Sequence, residues 1–139
     1  MIREITTDTN ILQKVSTKAN PKSKETKQVI QDLIDTAEEH KDRCVGLAAI
    51  QISEPTRVLV AFNGENFIPY INPVITQYLG ERYETEEGCM SIEGKRKVSR
   101  SRGVEIMHQK GNKFVKEQHG GLFAEILQHE IDHLNGKLI

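Results

Sequence analysis

From Ser23 to Arg43 the apolar residues Val29, Ile30, Leu33, Ile34 and Ala37 recur at helical spacing among Lys, Asp and Glu, which predicts an amphipathic surface helix near the N-terminus. The next segment, Cys44–Ile52, is apolar and small throughout and is closed by Ser53, Glu54 and Pro55. Beyond Pro55 the period shifts toward strands: Arg57–Phe62, Phe67–Val74 with Pro69 and Pro73 inside it, and Arg102–His108. Lys110-Gly111-Asn112 reads as a hairpin turn into a further strand over Lys113–Glu117. After Gly120-Gly121 a helix is expected over Leu122–Leu134, with Gly136 where a left-handed C-terminal cap falls. Met1–Lys22 reads as an irregular lead-in. The sum is an α+β chain of antiparallel strands around a C-terminal helix, with one domain over residues 1–139.

Composition narrows the partners. A formal net charge of −1 gives no field to attract nucleic acid or an anionic membrane. No run reaches the roughly 18 apolar residues of a membrane span, and Met1–Asn10 lacks the apolar centre of a secretory signal. The only cysteines are Cys44 and Cys89, too few to suggest a disulfide framework, so a reducing cytoplasm is the expected compartment.

The sharpest chemical signal is Gln128-His129-Glu130-Ile131-Asp132-His133. Two imidazoles four apart on a helix share a face and can bind one metal ion, while Glu130, about 100° around, can reach a water on that ion. Leu122, Ile126, His129 and His133 form one stripe at spacings of four, three and four, so the histidines continue an apolar face expected to point inward. A catalytic site of this type usually has a third protein ligand. His40, His108 and His119 remain, but Cys89, within Glu87-Gly88-Cys89-Met90-Ser91, is the preferred candidate, because a thiolate is stabilised beside a divalent cation. In Gly46-Leu47-Ala48-Ala49-Ile50-Gln51, small residues permit close packing, and the Gln51 amide is the one side chain able to donate to a developing oxyanion.

In this order, the segments Cys44–Gln51, Glu87–Ser91 and Gln128–Gly136 resemble the three hallmark segments of the peptide deformylase family, GΦGLAAxQ, EGCLS and QHExDHLxG. Ile71-Asn72-Pro73 and the strand around Arg100 look alike as well, so the resemblance extends from about Val29 onward. It implies that Cys89, His129 and His133 hold iron(II), replaceable by zinc, nickel or cobalt, around a central His-Glu-x-x-His helix. It implies the hydrolysis of the formyl group from nascent peptides that begin with formylmethionine, at or near the ribosome. By the same resemblance Glu130 moves the protons, Gln51 and the backbone N–H of Met90 steady the oxyanion, and backbone groups of Val45, Gly46 and Gly88 hold the peptide as an added strand. Leu122, Ile126 and Val45 are the expected walls of an apolar methionine pocket.

Four positions depart from the family pattern. Cys44 stands for its first glycine, Met90 for leucine, Glu93 for a proline that commonly follows the second segment, and Glu125 lies near the rim of the expected methionine pocket. The chain ends three residues past Gly136, with no extra C-terminal helix. Two other readings compete. A zinc peptidase with the same helix needs a third ligand beyond it, and Leu134–Ile139 offers none. A deformylase-like paralogue that binds metal or peptide N-termini without turnover differs only in activity.

Overall fold

The computed structural model describes residues 1–139, and five segments extend as strands: β1 (Gly46–Ala48), β2 (Val58–Phe62), β3 (Phe67–Gly88), β4 (Lys95–Lys110) and β5 (Lys113–Gly120). They pair antiparallel, in that spatial order, into one sheet. Three helices join them in an α+β architecture: α1 (Thr9–Leu12), α2 (Lys24–Glu39) and α3 (Gly121–Leu134). Successive side chains of a strand point to opposite faces. On β2, Val58 and Val60 therefore pack with Leu33 and Ala37 of α2, while Leu59 and Ala61 pack with Leu127, Ile131 and Leu134 of α3. The sheet is covered on both faces here, which is why this stretch of sequence is apolar without alternation.

Ser23 starts α2, its side-chain oxygen accepting from the N–H of Thr26 at 3.1 Å. The helix stops at Glu39, earlier than the apolar pattern suggests, because the His40 carbonyl turns to accept from the N–H groups of both Arg43 and Cys44. That turn sends the chain into β1. The lead-in also differs from its reading: Asp8 caps the short α1, and Thr17 bridges Thr56.

β3 and β4 run well beyond the apolar stretches that announced them, to Gly88 and back to Lys95, forming one long hairpin. Its outer part carries Glu81, Arg82, Glu84 and Glu86, all exposed, so no hydrophobic alternation marks it in the sequence. Backbone pairing and links such as Arg82 Nε to Ser99 Oγ (3.1 Å) hold it instead. Asn72, at φ 52°, sits at a register shift in β3. Its side-chain amide both donates to the Ala19 carbonyl and accepts from the Ala19 N–H, each at 2.8 Å, as a strand neighbour would.

α3 is fixed at three places. Gln128 reaches β4, its Oε1 accepting from the Ser101 N–H and its Nε2 donating to the Ser101 carbonyl, both at 2.9 Å. At the C-terminus, Lys137 and Gly136 donate back to the carbonyls of Asp132 and His133, with Gly136 at φ 77°. Arg57 Nη1 donates to the Leu134 carbonyl at 3.0 Å. A side chain at Gly136 would be strained by that φ and would also stand 2.5 Å from the Gln13 carbonyl oxygen.

Away from the motif residues, Glu117 of β5 ties three strands together. The His108 and His119 Nε2 atoms each stand 2.9 Å from its oxygens, and the Tyr70 hydroxyl donates to it at 3.0 Å. Burial alone would raise the Glu117 pKa, but the contacts from His119, His108 and Tyr70 outweigh it and hold the carboxyl at about 2. A depressed carboxylate stabilises the fold above its unfolded pKa of about 4.3 and ceases to do so as pH falls toward its folded value. Glu117→Gln should therefore be less stable than the parent chain at pH 6 to 7. Urea unfolding at stepped pH should show that gap closing between about pH 4.3 and about 2, and a gap independent of pH would contradict the ion-pair account.

Candidate metal centre and active site

One turn of α3 separates His129 from His133, and both rings are buried on the face turned to the sheet. Their Nε2 atoms stand 3.1 Å apart. The thiol comes from elsewhere: Cys89 lies just past the end of β3 at the hairpin tip, its Sγ 3.4 Å from His133 Nε2. All three candidate ligand atoms lie within 4.8 Å of one another. A tetrahedral ion with bonds of about 2.0–2.1 Å to nitrogen and about 2.3 Å to sulfur sets nitrogens about 3.4 Å apart and sulfur about 3.6 Å from each. The donor set thus has the size and the chemistry to hold one divalent cation.

Electrostatics agree. Burial lowers the His129 pKa, but hydrogen bonds to Cys89 and Glu87 outweigh it and lift it to about 10. Burial and then the charge on His129 push His133 down to about 3. With protons alone to balance it, this cluster keeps one positive charge among three electron-pair donors, and a cation can take that proton's place.

Behind the donors stands a buried ionic chain. His129 Nδ1 is 2.8 Å from Glu87 Oε1, which leaves Nε2 free to face Cys89 and His133. Arg100 grips the same carboxylate in two-pronged fashion, Nε at 3.0 Å and Nη2 at 2.7 Å, and donates through Nη1 to Asp132 at 2.6 Å. Burial opposes ionisation of Glu87, yet His129 and Arg100 hold it at about 2. The motif reading gave no role to Glu87, Arg100 or Asp132. Two of them lie inside the motifs, whereas nothing around Arg100 in the sequence marks it as buried.

Glu130 is buried with Oε1 lacking any protein partner, and it lines the cavity beside the three donors. Burial raises its pKa to about 7. Gly46 makes room for it: a Cβ there would stand 2.8 Å from Glu130 Oε2 and 2.9 Å from Ile126 Cγ2. Gln51 lies in the single 3₁₀ turn after β1, where its Oε1 accepts from the Ala48 N–H at 3.0 Å. Its Nε2 therefore turns toward the centre, 3.6 Å from Cys89 Sγ and 3.2 Å from Ser91 Oγ.

These groups border a cavity of about 800 Å³ that also meets Val45, Gly46, Gly88, Met90, Leu122 and Ile126. Leu122 is 67% exposed, so it stands at the cavity mouth rather than inside the protein as its place on the apolar stripe suggests. The lining is more charged than an apolar pocket, with Arg43, Glu86, Glu93, Lys95 and Glu125 around it. Cys44 packs into the α2-side core, 2% exposed, where burial pushes its thiol up to about 12, so the side chain fits without a special backbone.

Residues 2–139 match the family described as polypeptide deformylase. A peptide deformylase of Clostridium beijerinckii is 41% identical over 140 residues, covering all of both chains. One of Caulobacter vibrioides is 36% identical over 94% of this chain and 79% of its own. Among solved structures, the peptide deformylase of Thermotoga maritima superposes with a TM-score of 0.90 at 30% identity, over 99% of this chain and 95% of that one. A class I type b peptide deformylase of Acinetobacter baumannii, bound to Met-Ala-Ser, gives 0.91 at 26% identity over 99% and 97%.

Equilibrium dialysis against nickel or zinc should find one ion per chain. Cys89→Ala, at a part-buried tip position, should stay folded and lose that ion, while Glu87→Gln should weaken binding by about 10- to 100-fold. Full retention by Cys89→Ala would show that the thiol is not a ligand.

Proposed function

The chain belongs to the polypeptide deformylase family, and we infer that it hydrolyses the formyl group from peptides beginning with N-formylmethionine, releasing formate and a free α-amine. The observation that carries this reading is the meeting of Cys89, His129 and His133 within 4.8 Å, beside the unpartnered Glu130 oxygen. We take iron(II) as the resident ion, with zinc, nickel or cobalt able to replace it. Bound there, the ion's contribution is Lewis acidity, polarising the formyl carbonyl and making water more acidic.

The remaining work falls to the protein. Glu130 accepts a proton from the attacking water and returns one to the departing nitrogen, a role suited to a carboxyl whose pKa burial has raised toward neutrality. Gln51 Nε2, aimed by the Ala48 N–H, donates to the carbonyl oxygen as negative charge gathers on it, together with the Met90 N–H. β1 is the edge strand of the sheet, so Val45 and Gly46 have an open side on which a peptide can add as a strand, facing Gly88 across the cavity. Leu122, Ile126 and Val45 give its first side chain apolar contact.

Residues 1–139 act as one catalytic domain built around the His-Glu-x-x-His helix α3, with the amphipathic α2 on the opposite sheet face. The substrate is a short unfolded N-terminus, which points to cytoplasmic chains emerging from the ribosome. No helix is long and apolar enough to cross a membrane, and the net charge of −1 offers nothing to nucleic acid.

Formate release from formyl-Met-Ala-Ser by the nickel- or iron-loaded protein tests the activity directly. Glu130→Ala should keep its metal while kcat/KM falls by about 10²- to 10⁴-fold. Turnover comparable to the parent chain would remove Glu130 from the mechanism.

A further inference from the structure

Among the charged groups that line the cavity, Glu125 stands on α3 between the apolar residues expected to meet a methionine side chain. Leu122, Glu125, Ile126 and His129 share the cavity face of α3, with Glu125 about one turn N-terminal to His129. A turn rises about 5.4 Å, close to the reach of an extended, unbranched side chain. A peptide with its formyl group at the metal centre, and its first side chain running along α3 between Val45, Leu122 and Ile126, would bring the end of that side chain toward Glu125.

Glu125 is held there rather than left to swing into solvent. The Tyr83 hydroxyl, carried on β3, donates to Glu125 Oε1 at 2.8 Å. Burial, then the neighbouring Glu87 carboxyl, pushes the Glu125 carboxyl above its usual range, and burial together with Glu125 pushes the Tyr83 hydroxyl up to about 12, so the phenol stays a donor. A carboxylate has about four lone-pair sites, and the Tyr83 hydroxyl uses one of them. Glu125 also lines the cavity.

We propose that Glu125, braced by Tyr83, is a specificity-determining residue: it puts a hydrogen-bond acceptor at the end of the first-residue pocket. The chain then accepts N-formyl peptides whose first side chain is long, unbranched and ends in a donor, glutamine being the simplest, nearly as well as methionine. The physical ground is desolvation. An apolar pocket strips water from a primary amide and returns nothing, which rejects it strongly, whereas an acceptor at the right depth restores the bond. Methionine, whose sulfur is only a weak acceptor, gains little from the same group.

This inference rests on the deformylase reading, and the experiment separates the two. Compare kcat/KM for formate release from formyl-Met-Ala-Ser and formyl-Gln-Ala-Ser in the nickel-loaded parent chain, Glu125→Leu, Glu125→Gln and Tyr83→Phe. The Met-to-Gln preference should rise at least tenfold in Glu125→Leu, rise several-fold in Tyr83→Phe, and stay within about threefold of the parent in Glu125→Gln. A preference in Glu125→Leu that stays within threefold of the parent overturns the assignment. Should Glu125→Leu fail to fold, Tyr83→Phe, which leaves α3 intact, decides: a raised preference supports the role and an unchanged one overturns it. No formate from formyl-Met-Ala-Ser with the parent chain would instead sink the deformylase reading, and with it this one.

Discussion

Arg100 joins the two parts of the chain that carry the candidate ligands. Its guanidinium binds Glu87, at the end of β3 two residues before Cys89, and Asp132, on α3 next to His133. Hairpin tip and helix are thereby held at a fixed separation, and the Glu87 carboxylate that Arg100 fixes in turn orients the His129 ring. The three charged groups sit in a protein interior where none could be left alone: removing one partner of a buried ion pair typically costs about 3–5 kcal/mol. Such an arrangement adds little to net stability compared with an apolar core of the same volume, but it specifies geometry, and geometry is what a metal centre requires.

Much of the fold was legible because its buried parts obey simple periods. Val29, Leu33 and Ala37 announce α2, and Val58–Phe62, apolar at nearly every position, announces a strand covered on both faces. What the sequence hides is the outer half of the β3–β4 hairpin. Glu81, Arg82, Glu84 and Glu86 are solvated, and with no core to select one side for apolar residues the alternation is lost. The early end of α2 was hidden for a different reason: the turn at His40 is made by backbone hydrogen bonds, which do not depend on side-chain type.

The site divides along similar lines. His129 and His133 are spaced by a helix whose geometry is known in advance, so their common face, with Glu130 about 100° around from it, could be read directly. Cys89 and Gln51 could be nominated only by motif, since no local period connects residues from a hairpin tip, a 3₁₀ turn and a distant helix. Arg100 was marked only as part of a strand that resembles the family's, with no sign of its burial, because a lone arginine in a polar stretch resembles a solvated one until tertiary packing encloses it. The Leu122 side chain illustrates the opposite error: it sits on the apolar stripe of α3, yet the stripe runs past the edge of the core and out to the cavity mouth.

Cys89 sits at the end of an arm whose outer part buries only a few groups, Glu87, Ser91, Arg100 and Ser101 and none of them apolar, and it lies 44 positions before His133. An arm of that kind opens at a lower free-energy cost than the sheet it grows from. A cation held by Cys89, His129 and His133 would tie its tip to α3 as a clasp, binding the closed form and not the open one. At free ion a hundredfold above its dissociation constant, that clasp adds about 2.7 kcal/mol against opening. Loading such an ion would favour the closed arm, and protease resistance near residue 89 would then measure how well the ion is held.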